Sequence, residues 1–332
     1  MAVACGLALA SAGGAAAQRF EVPPDPGSRW FKGNTHTHTL ESDGDSPPEV
    51  VARWYKGNGY NFLVLSDHNV WVDPETLAML MDSSFLLIPG EEVTSAFERK
   101  PVHINGLNIP HVIEPRTDST LVGTIQKNVD AVRAVEGVPH INHPNFGWAF
   151  DHHTLAQVRN DRLLEIFNGH PLVHNAGGGD APGLEEIWDH LLTGGKRIYG
   201  IAVDDAHHFV GEFSRDRANP GRGWVVVRAD RLDAEEILGR LEAGEFYATT
   251  GVELEDIDVT ATRLEIRIRQ QQDFRYTTEF IGNGGRVLER TGANPAVYVL
   301  RAADGLDGYV RARVTDSGGA VAWVQPVFIR RQ

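Results

Sequence analysis

Cysteine is almost missing from this chain: Cys5 is the only one among 332 residues. No disulfide framework can form, so the fold must rest on a hydrophobic core, and the length suffices for one large domain plus a small one. Serine hydrolases of the nucleophile-elbow type are excluded as well, because no Gly-x-Ser-x-Gly run occurs. Beyond the first residues, no apolar stretch is long enough to span a bilayer. Positive charge is also scarce. Lys and Arg total 31 against 45 Asp and Glu, a net charge of -14, so long nucleic acid is a poor partner, although a local site of bound cations could still hold one short anion.

The beginning of the chain is unusual. Ala2 to Ala17 is nearly all small or apolar, and it closes with Ala15-Ala16-Ala17-Gln18. This reads as a signal peptide over residues 1–17, cut after Ala17, and implies a periplasmic or secreted protein. A basic start is lacking, so a disordered tail is the alternative. Cleavage would remove Cys5, and too little apolar sequence precedes it for a lipoprotein anchor.

After a Pro- and Gly-rich linker over Val22–Ser28, apolar runs alternate with helical patterns. The strands expected are Trp30–Thr35, Asn61–Leu65, Phe85–Ile88, Val102–Leu107, Val138–Ile141, Leu163–Phe167 and Ile198–Val203. Ser46-Pro47-Pro48-Glu49 reads as a capping box opening a helix, and Asp73-Pro74-Glu75 as the start of another. Further helices are expected over residues 119–135 and 184–192, and from Asp233 to Gly244. Strands alternating with helices imply βαβ units and a parallel sheet, and about seven strands suit a closed barrel. From Gly251 the pattern changes to short strands with hairpin turns at Asn283-Gly284 and Asp316–Gly319, which predicts a small antiparallel β-sandwich. The expected division is therefore an α/β metallohydrolase domain over 28–250 and a small all-β domain over 251–332.

What the sequence has in abundance is histidine: 14 of them. Those of the first region fall at strand ends together with acids: His36-Thr37-His38 with Asp43 beyond, Ser66-Asp67-His68, Glu91-Glu92, His103, His143-Pro144, Glu165, and Asp205-Ala206-His207. In a parallel barrel such ends converge on one face. His36 and His38 point to one side of an extended segment, as two ligands of one metal would. A solitary histidine is more often a surface residue than a ligand. Six of them with three carboxylates, each beside a strand end, point to a metal site.

These motifs in order, with Ser42-Asp43-Gly44 and Pro89-Gly90-Glu91-Glu92, resemble those of the PHP (polymerase and histidinol phosphatase) superfamily over about residues 30–250. Within it, Gly33–His38, Leu65–Asn69 and Gly221-Arg222-Gly223-Trp224 look most like the CehA/McbA-type metallohydrolases. The resemblance implies a distorted (β/α)7 barrel and a centre of two or three divalent ions (Zn, Mn or Fe). Carried onto this chain, His36, His38, Glu92 and Asp205 would hold one ion. Glu92 would bridge to a second, with His103 and His143. Asp43, His68 and His207 would hold a third; many relatives have His where this chain has Asp43.

Such a centre would activate water for attack on a small-molecule substrate, with no Ser or Cys nucleophile. Asp67, Glu165 and Arg222 are candidates to assist: Asp67 by orienting a ligating imidazole, unless it only caps its strand, Glu165 behind the ligands or facing substrate, and Arg222, like Arg215, by clamping an anion, although a surface arginine is the commoner case. His170 and His174 follow the sixth strand and either contact substrate or lie in a solvated loop. His111, His140, His152, His153, His190 and His208 read as structural or exposed. Hydrolysis of a phosphoester is the first expectation. Cleavage of a carbamate, ester or amide is the alternative and needs an aromatic mouth, for which Trp71, Phe146, Trp148 and Phe150 are available. A non-catalytic, metal-bearing binding module is the third.

Overall fold

Runs that are apolar throughout, such as Phe62–Val64 and Leu86–Ile88, have no solvent face to offer and lie inside sheets covered on both sides. A computed structural model describes residues 18–23, 27–301 and 307–331. The expected signal segment lies outside the described residues, as does part of the linker. Its elements in order are β1 (Gln18–Phe20), β2 (Arg29–Asn34), α1 (Pro48–Gly57), β3 (Phe62–Val64), β4 (Leu86–Ile88), β5 (Gly90–Phe97), β6 (Lys100–Leu107), α2 (Leu121–Ala134), β7 (Val138–Ile141), α3 (His152–Leu155), β8 (Leu163–Asn168), α4 (Leu184–Thr193) and β9 (Tyr199–Val203). There follow β10 (Trp224–Ala229), α5 (Ala234–Ala243), β11 (Phe246–Thr249), β12 (Leu254–Val259), β13 (Arg263–Ile268), β14 (Tyr276–Gly282), β15 (Arg286–Thr291), β16 (Ala296–Val299), β17 (Tyr309–Asp316) and β18 (Val321–Arg331).

The chain is a mixed α/β protein of several sheets. A five-stranded sheet runs β5-β6-β7-β8-β9, and a longer one runs β15-β14-β17-β18-β11-β10-β2-β3-β4, with β1 added beside β18. Two single-residue parallel bridges join these sheets, Thr37 with Ala206 and His68 with Glu92. The second keeps the register of β3 on β4: Phe62 faces Leu86 and Val64 faces Ile88, the same offset of 24 residues as His68 to Glu92. β4 and β5 are therefore one bent strand. The bend is tight at Gly90, where an added Cβ would stand 2.5 Å from Val64 Cγ1 and 2.9 Å from the Gly106 carbonyl oxygen. One apolar cluster draws Phe31, Phe62, Ile88, Leu107, Val138, Leu163 and Ile201 from successive strands.

Three expectations are corrected. The strands are not all parallel, since β6 runs antiparallel to both β5 and β7. The short reversal Phe97–Lys100 joins β5 and β6 as a hairpin, and a hairpin connection makes neighbouring strands antiparallel. The capping box does not form: Pro47 is the N-cap of α1, and the Ser46 hydroxyl bonds Asp45 instead. The helix expected after Asp73 is a 3₁₀ segment, Pro74–Leu80, kinked at Leu77, although Asp73 does cap it through Glu75 N. Hydrogen bonds between strands also pass from one side of Gly251 to the other. The seven strands beyond it do form two sheets packed around Leu264, Ile266, Phe280 and Val310. However, β18 pairs with β11 and so extends the sheet that contains β2. The strand signal in Val321–Arg331 is long enough for β17 on one edge and both β1 and β11 on the other.

Candidate metal centre

Strand direction brings the histidines together. β2, β3, β7 and β9 run the same way and release His36, His68, His143 and Asp205 just past their ends. Because β6 runs the other way, its first half stands level with those ends: Ile104 pairs with Ile141, so His103 lies beside Asn142. Glu92 sits opposite Asn105 on β5 and bridges to His68. All nine residues expected as ligands meet at this one end.

The tightest group is His36, His38, Glu92 and Asp205, all buried. The two Nε2 atoms are 3.2 Å apart. Asp205 Oδ1 lies 3.3 Å from the first and 3.2 Å from the second. Glu92 Oε2 lies 3.4 and 3.3 Å from them. Four ligands placed tetrahedrally at roughly 2.0–2.1 Å around one ion are separated by roughly 3.3–3.4 Å, so five of the six edges of this group match a single ion. The other Glu92 oxygen turns to His103 Nδ1 at 2.9 Å and His143 Nε2 at 3.4 Å. On the outer side, Asp43 reaches His207 Nε2 at 3.3 Å, His38 Nδ1 at 3.4 Å and His68 Nε2 at 3.6 Å. Asp43 is the exposed member of the set.

The donors fit divalent ions by chemistry as well as spacing. Glu92 Oε2 and His103 Nδ1 are buried with no hydrogen bond of acceptable geometry, and orphaned buried donors and acceptors are rare without a reason. Imidazole with carboxylate suits zinc, manganese or iron. Burial alone would raise Glu92, yet His103 and His36 hold it well below the usual carboxylate range. Burial opposes charge on His36, but Asp205, Glu92 and Glu165 raise its pKa well above the ordinary value. Such opposed, mutually dependent shifts mark a cluster built for charge. Asp205 takes a left-handed backbone, φ 49°, unusual for a residue with a side chain, and its N–H is tied to the His36 carbonyl at 3.0 Å.

The three assisting candidates separate. Glu165 is fully buried and accepts from His36 Nδ1 at 2.6 Å and from the His143 N–H at 2.8 Å. Asp67 touches no ligating ring; its carboxylate accepts from Thr39 N–H at 2.7 Å and from the Thr39 and Ser42 hydroxyls, shaping the turn that carries Asp43. The Arg222 guanidinium donates to the carbonyls of Gly169 and Ser214 and so straps two loops. Sequence reasoning missed Asn142, which donates to Glu92 at 2.7 Å, and Asn168, which donates to Asp205 at 3.0 Å and Glu165 at 2.9 Å. It also missed Thr94, whose hydroxyl lies 2.6 Å from His68 Nδ1. Asn142 and Asn168 stand at strand ends like the histidines, and that position was their available signal. Of the aromatic residues, Phe146 lies 5.2 Å from His143 and 6.1 Å from His103, ring centre to ring centre. Trp148 stacks on His174 at 4.4 Å and is exposed. Phe150 is buried, and Trp71 is half-buried with its indole N–H donating to the Ile109 carbonyl at 3.0 Å. A cavity of about 690 Å³ lined by Phe20, Trp30, Tyr199, Phe246 and Phe328 contains none of the clustered residues.

No protein-family model matches the chain, and no curated protein does. Solved structures do. A two-domain protein from Bacteroides vulgatus ATCC 8482 containing a predicted PHP-like metal-dependent phosphoesterase is similar with TM-score 0.52 and 16% identity, over 89% of this chain and 93% of that one. A protein from Bifidobacterium adolescentis ATCC 15703, provisionally described as a metal-dependent phosphoesterase, gives TM-score 0.41 and 13% identity over 60% of this chain and 91% of that one. An amidohydrolase from Chromobacterium violaceum gives 0.39 and 12% over 64% and 96%. The first likeness is one of fold, across both regions of the chain.

Proposed function

We propose that the chain is a metal-dependent hydrolase that adds water to a small phosphoester. One observation carries this reading: the four buried donors of His36, His38, Glu92 and Asp205 are spaced as the ligands of a single ion. These four would hold one ion, Glu92 with His103 and His143 a second, and Asp43, His68 and His207 a third. We read the two bridged sheets as a distorted barrel of the PHP superfamily, CehA/McbA-like branch, with residues 28–250 carrying the centre and 251–332 buttressing it. Export by cleavage after Ala17 belongs to the same reading, and the intact mass of the exported protein tests it.

Clustered divalent ions supply Lewis acidity and lower the pKa of a bound water from about 15.7 toward about 7. The protein's own groups arrange the donors. Glu165 accepts from His36 Nδ1–H, which fixes the tautomer and turns the Nε2 lone pair to the cluster. Asn168 steadies both Glu165 and Asp205, and Asn142 steadies Glu92. Asp67 holds the turn from which Asp43 projects.

A second reading, hydrolysis of a carbamate, ester or amide, is favoured by Phe146 beside His143 and His103 and by the engagement of Arg222 with carbonyls. A flat apolar group suits such a wall, whereas a dianionic phosphate monoester needs free cations. Parallel assays of the metal-loaded protein with bis-p-nitrophenyl phosphate and a naphthyl carbamate decide between them. Turnover of the first supports the phosphoesterase, turnover of the second alone the alternative, and metal binding with neither the non-catalytic module.

A further inference from the structure

His170 belongs to none of the groups of converging donors, yet it stands beside them. Its ring centre is 5.2 Å from that of His207 and 6.2 Å from that of Phe146, edge-on to both. The backbone beneath it is pinned to the centre. Gly169 N–H donates to the Val203 carbonyl at 2.9 Å, and His170 N–H to Asn168 Oδ1 at 2.7 Å, the same Asn168 whose amide holds Asp205 and Glu165. An added Cβ at Gly169 would lie 2.7 Å from the Asp204 carbonyl oxygen, so this approach is close. The Leu172 N–H donates to His170 Nδ1 at 3.2 Å. An imidazole nitrogen that accepts cannot carry the proton, so in this arrangement the hydrogen is on Nε2. Among the described residues Nε2 has no hydrogen-bond partner.

We propose that His170 contacts the substrate, its Nε2–H donating a hydrogen bond to the oxygen that gathers negative charge during hydrolysis. This rests on the hydrolase reading for its chemistry, but the group recognised is more general: an oxyanion seated at the cluster. A fixed donor aimed at such an oxygen contributes where charge develops, and losing one from an oxyanion site lowers kcat by roughly 10²–10³. His174, four residues on, is stacked on Trp148, which leaves His170 as the imidazole of this loop positioned for the task.

The test uses the full chain loaded with zinc, as wild type, His170→Phe and His170→Gln. Phenylalanine keeps a ring without a donor, and glutamine restores an N–H of similar reach. Three quantities are read: zinc per chain, the Kd for inorganic phosphate by calorimetry, and kcat and KM for bis-p-nitrophenyl phosphate. Zinc content should be unchanged in both variants. Phosphate binding should weaken at least roughly tenfold in His170→Phe and recover by more than half of that in His170→Gln, since a hydrogen bond to a charged group is worth roughly 1.5–3 kcal/mol. In kinetics the loss should fall mainly on kcat. Unchanged phosphate affinity in His170→Phe, loss of zinc in His170→Gln, or a wild type that binds no phosphate would each overturn the assignment. A wild type that binds phosphate with the expected dependence on His170 but hydrolyses neither ester would sink the hydrolase reading and leave this one standing.

Discussion

Two neighbouring glutamates on β5 have opposite fates, and the pleat of the strand is the reason. Glu92 turns to the histidines, while Glu91 points to the other face and accepts from the Ile113 N–H. Among the described residues no cation pairs with Glu91, and burial pushes its pKa up to about 7 against the pull of that hydrogen bond. A carboxyl whose folded pKa is raised stabilises the fold fully below its unfolded value near 4.5 and loses that contribution as pH rises through about 7. Between pH 5 and pH 8, wild type should therefore lose about 1–3 kcal/mol relative to Glu91→Gln, measured as the difference of their urea-unfolding free energies. Equal pH dependence in the two proteins would refute this. That the clustered histidines and acids would converge was legible because most of them lie beside an apolar run whose end the sequence marks. The residues that position them were less so. An Asn or Thr has no distinguishing local pattern, and only the register of β5 on β6 and of β7 on β8 reveals what Asn142, Asn168 and Thr94 face.

Among the elements, the loop between β9 and β10 depends on one buried acid. Asp204, adjacent to Asp205 but facing away from the histidines, accepts from the N–H groups of Gly221 (2.9 Å), Arg222 (2.6 Å) and Gly223 (2.9 Å), and from the Tyr55 hydroxyl at 2.8 Å. This explains the glycines flanking Arg222: Gly221 has φ 84°, and a Cβ on Gly223 would come within 2.7 Å of the Phe167 ring. Asp204→Ala would leave the Gly223 N–H and the Tyr55 hydroxyl buried and unpaired, at roughly 1–3 kcal/mol each, and would release the N–H groups of Gly221 and Arg222. Stability should fall by more than about 3 kcal/mol in chemical denaturation, and a loss below about 1 kcal/mol would contradict the role. Helices α2 and α4 were readable from periodicity, and α5 also from its cap, since Asp233 accepts from the Glu236 N–H. β10 and β11 were not assigned, although both are apolar. Their partners β2 and β18 lie far away in sequence, and no local pattern chooses such pairings. The hairpin of β5 with β6 was hidden for a different reason: its polar Glu91, Glu92, Thr94 and Ser95 read as the end of a strand.

On the scale of the molecule, the two regions expected as separate domains share a sheet and a buried ion-pair network. Arg311 on β17 reaches across to α4, donating to both oxygens of Asp189 at 2.7 and 2.6 Å and lying 2.8 Å from Glu185, with its guanidinium over Trp188. Composition and periodicity report none of this, because neither encodes which sheet edge a later strand will join. The mixed α/β character was visible in the alternation of strands and helices; the continuity through β18 was not. The whole arrangement acts to hold nine donor side chains at one end of the strands, and that convergence is the central claim. Its most direct test is elemental analysis of the purified full chain, wild type and His38→Ala, after loading with zinc, manganese or iron and removal of free ion. The account predicts about two to three ions per wild-type chain and the loss of at least one in His38→Ala, because His38 faces the groups around both Asp205 and Asp43. Fewer than about one ion per wild-type chain with every metal, or a content unchanged by the substitution, would contradict it.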